Sequence, residues 1–489
     1  MTTSSAEADP RESTPNLIGI GAGLIGFVLF LMLFAPQGLD QPARIVAAVG
    51  VLMAIWWATE AIPLSVTALL PIIVFPIAGV ATIQESAAPY ADPIIFLFLG
   101  GFLVALAVER SQLHRRIALI IFRALGKSGS GLVAGFMLAA AVISMWISNT
   151  STTLMLFPIA VSLALVVSET SPGLSDKEQH DFKVSLLLGL AYGASIGGVA
   201  TLVGSPTNAF MAGFMLSEYG QEIAFARWML VGIPVSVVML PLGWLLLTRF
   251  LFPVRFVSSN ETQEELARRY KALGPMSHAE KRTAALFALL VIGWIARKPI
   301  AAALGIEGLS DSGVAMIAAL LAFVIPSGTD RHALVHWSDT TRLPWGILLL
   351  FGGGLSLAAA LSSSGLTVWL GAQLAPLGAI NHILLVVALT SLVVFLTELT
   401  SNVATTATLL PVVAALGVEL RFDPLVLAVP VTIAASCAFM LPVATPPNAI
   451  VFSSGEIQIK EMMRAGFWLN LISIVLVSAA AIWLVPLIF

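Results

Sequence analysis

The sequence predicts an all-α polytopic membrane protein, and three observations support that fold class. Of the 489 residues, 58% are hydrophobic and only 10% are charged, less than half the charged fraction of about 25% in soluble domains. Long apolar runs recur at 17–35, 62–80, 228–248 and 466–489, and a span needs about 20 apolar residues to cross a bilayer core. Polar motifs inside the apolar segments also occur twice, once in each half of the chain.

The order of charged and apolar segments predicts how the chain crosses the membrane. Residues 1–16 are polar and rich in Ser and Thr, so we expect a disordered cytoplasmic tail. The apolar run after it is too long for a signal peptide and lacks a basic flank, so it is interpreted as the first span. Lys and Arg cluster in 109–127 and 249–282, and such loops stay cytoplasmic. We therefore expect an internal N-terminus and an external C-terminus.

The charged stretch 253–282 is predicted to be a cytoplasmic linker between two repeat halves, 17–252 and 283–489. "ISNTSTT" at 147–153 and "TSNVATT" at 400–406 share one register. A constant shift of 253 residues relates the two motifs. Residues that match at this shift include Ser148/Ser401, Asn149/Asn402, Thr152/Thr405, Thr153/Thr406 and Pro158/Pro411. Two-fold repeats of this kind are typical of secondary transporters, whose sites lie where the repeats meet.

A second pair of motifs follows the first pair along the chain. "GSPTN" at 204–208 and "ATPPN" at 444–448 each put proline and polar residues inside an apolar segment. Proline breaks a helix and frees backbone carbonyls and amides. At membrane depth those groups must face protein or a water-filled cavity, so each half is predicted to contain a broken helix.

These motifs predict a site for a cation and an anion side by side. Carbonyl, hydroxyl and amide oxygens suit a hard cation such as sodium, and helix N-termini suit an anion. Ser and Thr also cap helices and bond neighbouring helices in membranes, but two copies in register favour a site. No Lys, Arg or His lies in 144–153, 197–208, 397–406 or 436–448, which favours sodium coupling over anion exchange.

Glu398 is the one acidic residue beside these motifs, and Glu60 lies earlier in the chain, after "IWWAT". Glu398 is either a proton-carrying carboxylate or a residue that packs or snorkels near a helix end. Glu60 is expected at a membrane interface. An enzyme is not expected, because no nucleophile–base pair and no metal-ligand spacing lies at membrane depth. No basic patch indicates a nucleic-acid partner, and no cofactor other than coupling sodium ions is expected.

At these motifs the chain resembles the divalent anion/sodium symporter family of sodium–dicarboxylate and sodium–citrate carriers. "SNT" at 148–150, "SNV" at 401–403 and "SCAFMLPVATPPNAIVF" at 436–452 carry the resemblance, which extends from about residue 40 to the end. It implies a homodimer with about eleven transmembrane helices and two re-entrant hairpins in two inverted-topology repeats. A scaffold domain would hold the dimer, and a transport domain would move in an elevator-like manner. The hairpins would cover about 115–165 and 368–418, and the broken helices about 184–217 and 425–453.

The resemblance also implies the residues of the site. One sodium ion would bind Ser144, Ser148, Asn149 and Gly204, and the other would bind Thr397, Asn402 and Ala444. The two Ser/Asn motifs, 147–153 and 400–406, would lie at the tips of the hairpins and are called the polar tips. The substrate carboxylates would contact both polar tips and both proline breaks, at Ser148, Asn149, Thr150, Ser205, Pro206, Ser401, Asn402, Val403, Thr445 and Pro446. Val403 stands where a symmetric pair would have Thr. A hydrogen bond to a charged group contributes about 1.5–3 kcal/mol, so the missing hydroxyl is expected to shift substrate preference.

The implied function is sodium-coupled symport of C4-dicarboxylates such as succinate, fumarate or malate, in a bacterial inner membrane. Citrate and sulfate remain open as substrates. Sodium-independent exchange on the same fold remains open as a mechanism, as does a Na⁺/H⁺ antiporter or arsenite-type carrier of related architecture.

Overall fold

The computed structural model describes residues 15–34, 36, 38–171, 173–306, 308–328, 332–376 and 380–489. In these ranges the chain is built from helices, and two isolated β-bridges are its only extended pairing. The α-helices are, in chain order, α1 Leu17–Leu33, α2 Gln41–Ala58, α3 Leu64–Thr67, α4 Leu70–Ile77, α5 Ile83–Ala87, α6 Pro93–Arg110, α7 Leu113–Leu125, α8 Gly129–Ser144, α9 Asn149–Thr170, α10 Asp176–Val199, α11 Pro206–Tyr219, α12 Phe225–Leu245, α13 Asn260–Ala272, α14 His278–Ile295, α15 Arg297–Leu304, α16 Asp311–Val324, α17 Trp345–Ser363, α18 Leu366–Leu374, α19 His382–Leu396, α20 Asn402–Glu419, α21 Leu425–Ala435, α22 Pro446–Phe452, α23 Ile459–Ala479 and α24 Val485–Ile488.

Eight helical stretches of the described residues are long and apolar enough to cross a bilayer, or nine if α14 and α15, bent by 84°, form one span. The all-α membrane fold is therefore confirmed, while the number of eleven spans stays a prediction. Several apolar helices, including α1, α8 and α19, have 17 residues or fewer. They fall short of the usual span because a polar tip or a loop interrupts the apolar run.

The start of α1 is fixed by the last residue of the predicted tail. The Asn16 side chain accepts a hydrogen bond from the Gly19 amide at 3.0 Å, and the Asn16 amide donates to the Ala61 carbonyl at 3.1 Å. Residue 16 is therefore part of the fold, which corrects that end of the expected disordered segment. The expectation for residues 1–14 lies outside the described residues.

The polar tips lie between paired helices of similar length. α8 and α9 meet at residues 144–149, and α19 and α20 meet at 397–402. The first pair begins at Gly129 rather than near 115, because α7 is a separate helix that ends at Leu125. The second pair likewise begins after α18. α7/α18, α8/α19 and α9/α20 begin at the same shift that relates the polar motifs.

The predicted charged linker is folded rather than extended. Residues 260–272 form α13, and the linker's end forms the first turn of α14. The buried Arg116 of α7 donates to Glu280 at 2.6 Å and to the Gly274 carbonyl at 3.1 Å. A buried charge needs a partner, and this pair therefore holds the linker against α7.

The helices that flank the tips pack across the two halves. α8 and α9 pack on α10, and α9 also packs on α22 from the second half. α20 packs on α21 and on α11 from the first half. Each pair of helices is therefore covered by a broken helix from the other half of the chain.

Candidate functional site

The two polar tips make matching hydrogen bonds. The Ser144 hydroxyl donates to Asn149 Oδ1, and at the corresponding position the Thr397 hydroxyl donates to Asn402 Oδ1 at 2.8 Å. One turn later, Thr153 and Thr406 bond the main-chain carbonyls of the two asparagines at 2.8 and 2.9 Å. The threonines of the motifs therefore stabilise the first turns of α9 and α20, which hold the asparagine side chains in place.

The two breaks are also held in matching ways. The chain leaves helical geometry between α10 and α11 and again between α21 and α22. Asn208 donates to the carbonyls of Gly198 and Thr201 at 3.1 and 2.8 Å. Asn448 donates to those of Ala438 and Leu441 at 3.2 and 3.1 Å. The asparagine that ends each motif thus satisfies carbonyls that the proline break has freed.

A cavity of about 550 Å³ lies between the two tips and the two breaks. That volume is within the range of small-molecule sites. The predicted site residues that line it are Ser148, Asn149, Thr150, Gly204, Ser205, Pro206, Ser401, Asn402, Val403, Ala444, Thr445 and Pro446. Ser144 and Thr397 do not line the cavity themselves. Both are fully buried, and their hydroxyls bond the lining residues Asn149 and Asn402. The structure therefore brings every predicted site residue to one cavity or directly behind it.

Several helix N-termini open into the cavity, which has no basic side chain among its described lining residues. Among the described residues that line it, Glu60 is the only charged one. The N-termini of α9, α11 and α20 open into it at Ser148, Ser205 and Ser401. Each helix N-terminus carries a partial positive charge and unpaired amides. Three such ends suit an anion with more than one carboxylate.

In both Asn149 and Asn402 the amide oxygen and the amide nitrogen have different surroundings. Asn149 Oδ1 and Asn402 Oδ1 face the buried hydroxyls of Ser144 and Thr397. Neither Nδ2 group has an acceptor in the described part of the chain, and both side chains line the cavity. Each amide can therefore offer oxygen to a cation and N–H to a carboxylate.

Oxygen atoms suited to sodium surround both asparagines. At the first, a Cβ added to Gly198 would lie 2.6 Å from Asn149 Oδ1 and 2.8 Å from the Gly204 carbonyl, so only glycine leaves room there. At the second, Thr397 Oγ1 lies 2.9 Å from the Ala435 carbonyl as well as beside Asn402. These oxygen sets fit a hard cation.

Several residues at the site were not predicted from the sequence. Ser436 contacts the hydroxyls of Ser205 and Thr207 at 3.0 and 2.8 Å, joining the two breaks. It belongs to the same polar motif as the second break, and that signal could have identified it. Phe98 and Phe102 of α6 also line the cavity, and their apolar context gave no such signal.

Glu60 lines the cavity, and its expected position at a membrane interface stays a prediction. It sits in the turn after α2 in a left-handed conformation, with φ 45°. The Trp57 indole donates to the Leu64 carbonyl at 3.1 Å. That bond spans the turn that carries Glu60, and the position of Glu60 in the cavity lining was not predicted from the sequence.

Glu398 is buried and does not snorkel. Its carboxylate accepts from the amides of Phe439, Met440 and Leu441 at 2.8–3.1 Å. It also accepts from Asn470 Nδ2 at 2.7 Å. All four partners are donors, and three of them are main-chain amides of the second break. Glu398 therefore fixes the backbone of that break.

Comparison with known families matches residues 17–489 to the transmembrane region of sodium:sulfate symporters. The chain belongs to that family. The resemblance to divalent anion/sodium symporters, drawn from the two pairs of motifs, is therefore confirmed. The family is one of membrane transporters rather than of enzymes.

Two relatives are similar along almost their whole length. A protein of Staphylococcus saprophyticus named sodium-dependent dicarboxylate transporter SdcS is 39% identical over 490 residues, covering 99% of this chain and 94% of that protein. A protein of the same name from Staphylococcus aureus (strain MRSA252) is 39% identical over 482 residues, covering 97% and 92%. Among solved structures, the Alcanivorax borkumensis YdaH transporter, described as having an unusual topology, matches with a TM-score of 0.55. It covers 91% of this chain and 98% of that one at 17% identity, and at that identity it supports the fold alone.

Proposed function

We propose that the chain is a sodium-coupled symporter of small divalent organic anions, with C4-dicarboxylates as the preferred substrates. The observation that carries the proposal is the cavity where two Ser/Asn tips meet two proline breaks, with no basic side chain among the described residues that line it. A dianion in such a site needs cations beside it, and the oxygens behind Asn149 and Asn402 suit sodium. The names of the two staphylococcal relatives support both the ion and the substrate class.

In this proposal the two ions and the substrate share the asparagine amides. One sodium ion binds at Ser144, Ser148, Asn149 and Gly204, and the other binds at Thr397, Asn402 and Ala444. The carboxylates accept hydrogen bonds from the freed amides and from hydroxyls of both tips. Thr150 and Ser401 are suited to this role, because neither hydroxyl has a partner within the described residues.

The same proposal includes the movement and the setting of the protein. The tips and the broken helices, α8–α11 and α19–α22, cross-pack and would move together as the transport domain. Movement against a scaffold in a homodimer gives alternating access of the elevator type, with the two halves as inverted repeats. The chain would lie in a bacterial inner membrane with its N-terminus cytoplasmic and its C-terminus external.

Uptake of labelled succinate by proteoliposomes tests this function. An inward sodium gradient is expected to drive uptake, and a potassium gradient is not. Asn149→Ala and Asn402→Ala are each expected to abolish uptake, while Asn260→Ala, at an exposed position on α13, is expected to retain it. Full uptake by both cavity variants would refute the site.

Competition by unlabelled anions in the same assay separates the substrates. Sulfate is included because the matching family is described as sodium:sulfate symporters, and citrate because it is a larger carboxylate with three carboxyl groups. Strong competition by sulfate and none by fumarate or malate would contradict the dicarboxylate proposal. Transport without sodium that requires internal anion would indicate exchange instead.

A further inference from the structure

A second cavity, of about 510 Å³, lies on the other side of the first tip. Its polar lining includes Glu109 and Arg110 at the end of α6, Gln112 and Arg115 at the start of α7, Ser151 of α9, and Arg342. We call this cavity the arginine vestibule. No residue of it was assigned to the site by the sequence or by the proposed function.

The arginine vestibule adjoins the site cavity directly. Leu154 of α9 lines both cavities. The Ser148 hydroxyl, which lines the site, donates to the hydroxyl of Ser151, which lines the vestibule, at 3.0 Å. Only the first turn of α9 therefore separates a solute in the vestibule from the site.

The charge of the vestibule contrasts with that of the site. Its lining holds three arginines and one glutamate, whereas the site has only Glu60. Arg342 pairs with Glu109 at 2.6 Å. Arg110 pairs at 2.6 Å with Asp339, which does not line the vestibule.

Arg115 is the arginine without a carboxylate partner in the part of the chain that the structure describes. Its side chain is exposed, so an anion reaches it without breaking an ion pair. A lining with a surplus of positive charge raises the local concentration of anions and their rate of encounter.

We propose that the arginine vestibule is a transit site that binds the dicarboxylate dianion on one membrane face, beside Arg115, before it enters the site cavity or after it leaves. This inference rests on the proposed function, because it takes the same dianion as the solute. The geometry explains how a site without basic residues receives a dianion. Positive charge attracts the anion at the entrance, and sodium neutralises it inside.

Uptake kinetics from each membrane face test the inference. Right-side-out and inverted membrane vesicles offer labelled succinate to opposite faces. Arg115→Gln is expected to raise the succinate KM about three- to tenfold in one vesicle type only, with the maximal rate within about twofold. Arg115→Lys, which keeps the charge, is expected to restore the KM.

Two controls separate this role from general electrostatics and from lipid binding. Lys127→Gln removes the same charge after the end of α7, outside the lining, and is expected to leave the KM unchanged. Raising choline chloride from about 0.05 to about 0.5 M is expected to remove the difference between Arg115→Gln and the unaltered chain, because salt screens such fields. Purified protein in phosphatidylcholine liposomes is expected to keep the difference.

The outcomes are distinct. An unchanged KM, an equal change on both faces, or an effect seen only with anionic lipid would overturn the vestibule while leaving the proposed function intact. Absence of uptake by the unaltered chain would remove the proposed function, and the vestibule with it.

Discussion

Replacing Glu398 with Gln is expected to weaken the second sodium site by loosening the second break. In the structure one carboxylate oxygen accepts from Phe439, Met440 and Asn470 at 2.7–2.9 Å, and the other accepts from Met440 and Leu441 at 3.1 and 3.0 Å. A glutamine keeps one acceptor oxygen, but its NH₂ group then faces backbone N–H donors. The second break loses part of its anchor.

The magnitude follows from the lost hydrogen bonds. A hydrogen bond to a charged group contributes about 1.5–3 kcal/mol, and Glu398→Gln removes about one such bond and weakens the others. Residues 439–441 lie in the break that also carries Ala444, and Thr397 is adjacent to Glu398 in the chain. If sodium binds only the ordered break, its apparent affinity falls by up to the same free energy. We therefore expect the half-saturating sodium concentration to rise about 10- to 100-fold.

The assay is the sodium dependence of succinate uptake in proteoliposomes, together with sodium-dependent thermal stability of the purified protein. Glu419→Gln is the matched control, because Glu419 is exposed at the end of α20 and has no ion pair within the described residues. An unchanged sodium dependence in Glu398→Gln would refute the reasoning. Loss of a sodium-independent, pH-driven uptake instead would show that Glu398 carries a proton.

Three further predictions concern the site itself. Gly198→Ala is expected to lower sodium-driven uptake at least tenfold, because the new methyl would lie 2.6 Å from Asn149 Oδ1 and overpacking costs about 1–3 kcal/mol. Gly135→Ala, whose nearest neighbour would be 3.6 Å away, is the control, and equal loss in both would contradict the sodium site. When sodium replaces potassium at about 100 times the sodium dissociation constant, the free energy of unfolding is expected to rise by about 2.7 kcal/mol. A melting temperature that is identical in sodium and in potassium would exclude sodium binding to the resting protein. Val403→Thr is expected to lower the succinate KM up to about tenfold through an added hydroxyl, measured against citrate and sulfate; unchanged preference would show that residue 403 does not contact substrate.

The sequence predicted the parts of the site that use polar side chains inside apolar segments. Asn149 and Asn402 were identified because an amide in a membrane span is costly without a role. The proline motifs marked both breaks for the same reason. The shared cavity followed from the repeat, since matched segments meet where two halves pack together.

The sequence did not predict contacts made by backbone atoms or by ordinary apolar side chains. The Ala435 carbonyl at the second sodium set has no side-chain signal. Glu60 lines the cavity from a turn with a left-handed backbone conformation, φ 45°, which a non-glycine residue rarely adopts. The bounds of the first pair of helices shifted because α7 ends at Leu125 as a separate helix and α8 begins only at Gly129, where the Ser128 hydroxyl accepts a hydrogen bond from the Gly131 amide.

The cross-packing of the tip helices has a consequence for synthesis of the chain. α9 leaves the ribosome early, but α22, on which it packs, is translated close to the C-terminus. Until then α9 packs on α8 and α10 without its second-half neighbour, and a contact between such distant segments forms slowly. The site cavity, which needs both segments, is therefore completed only late in synthesis, and truncation before residue 446 would leave α9 without α22.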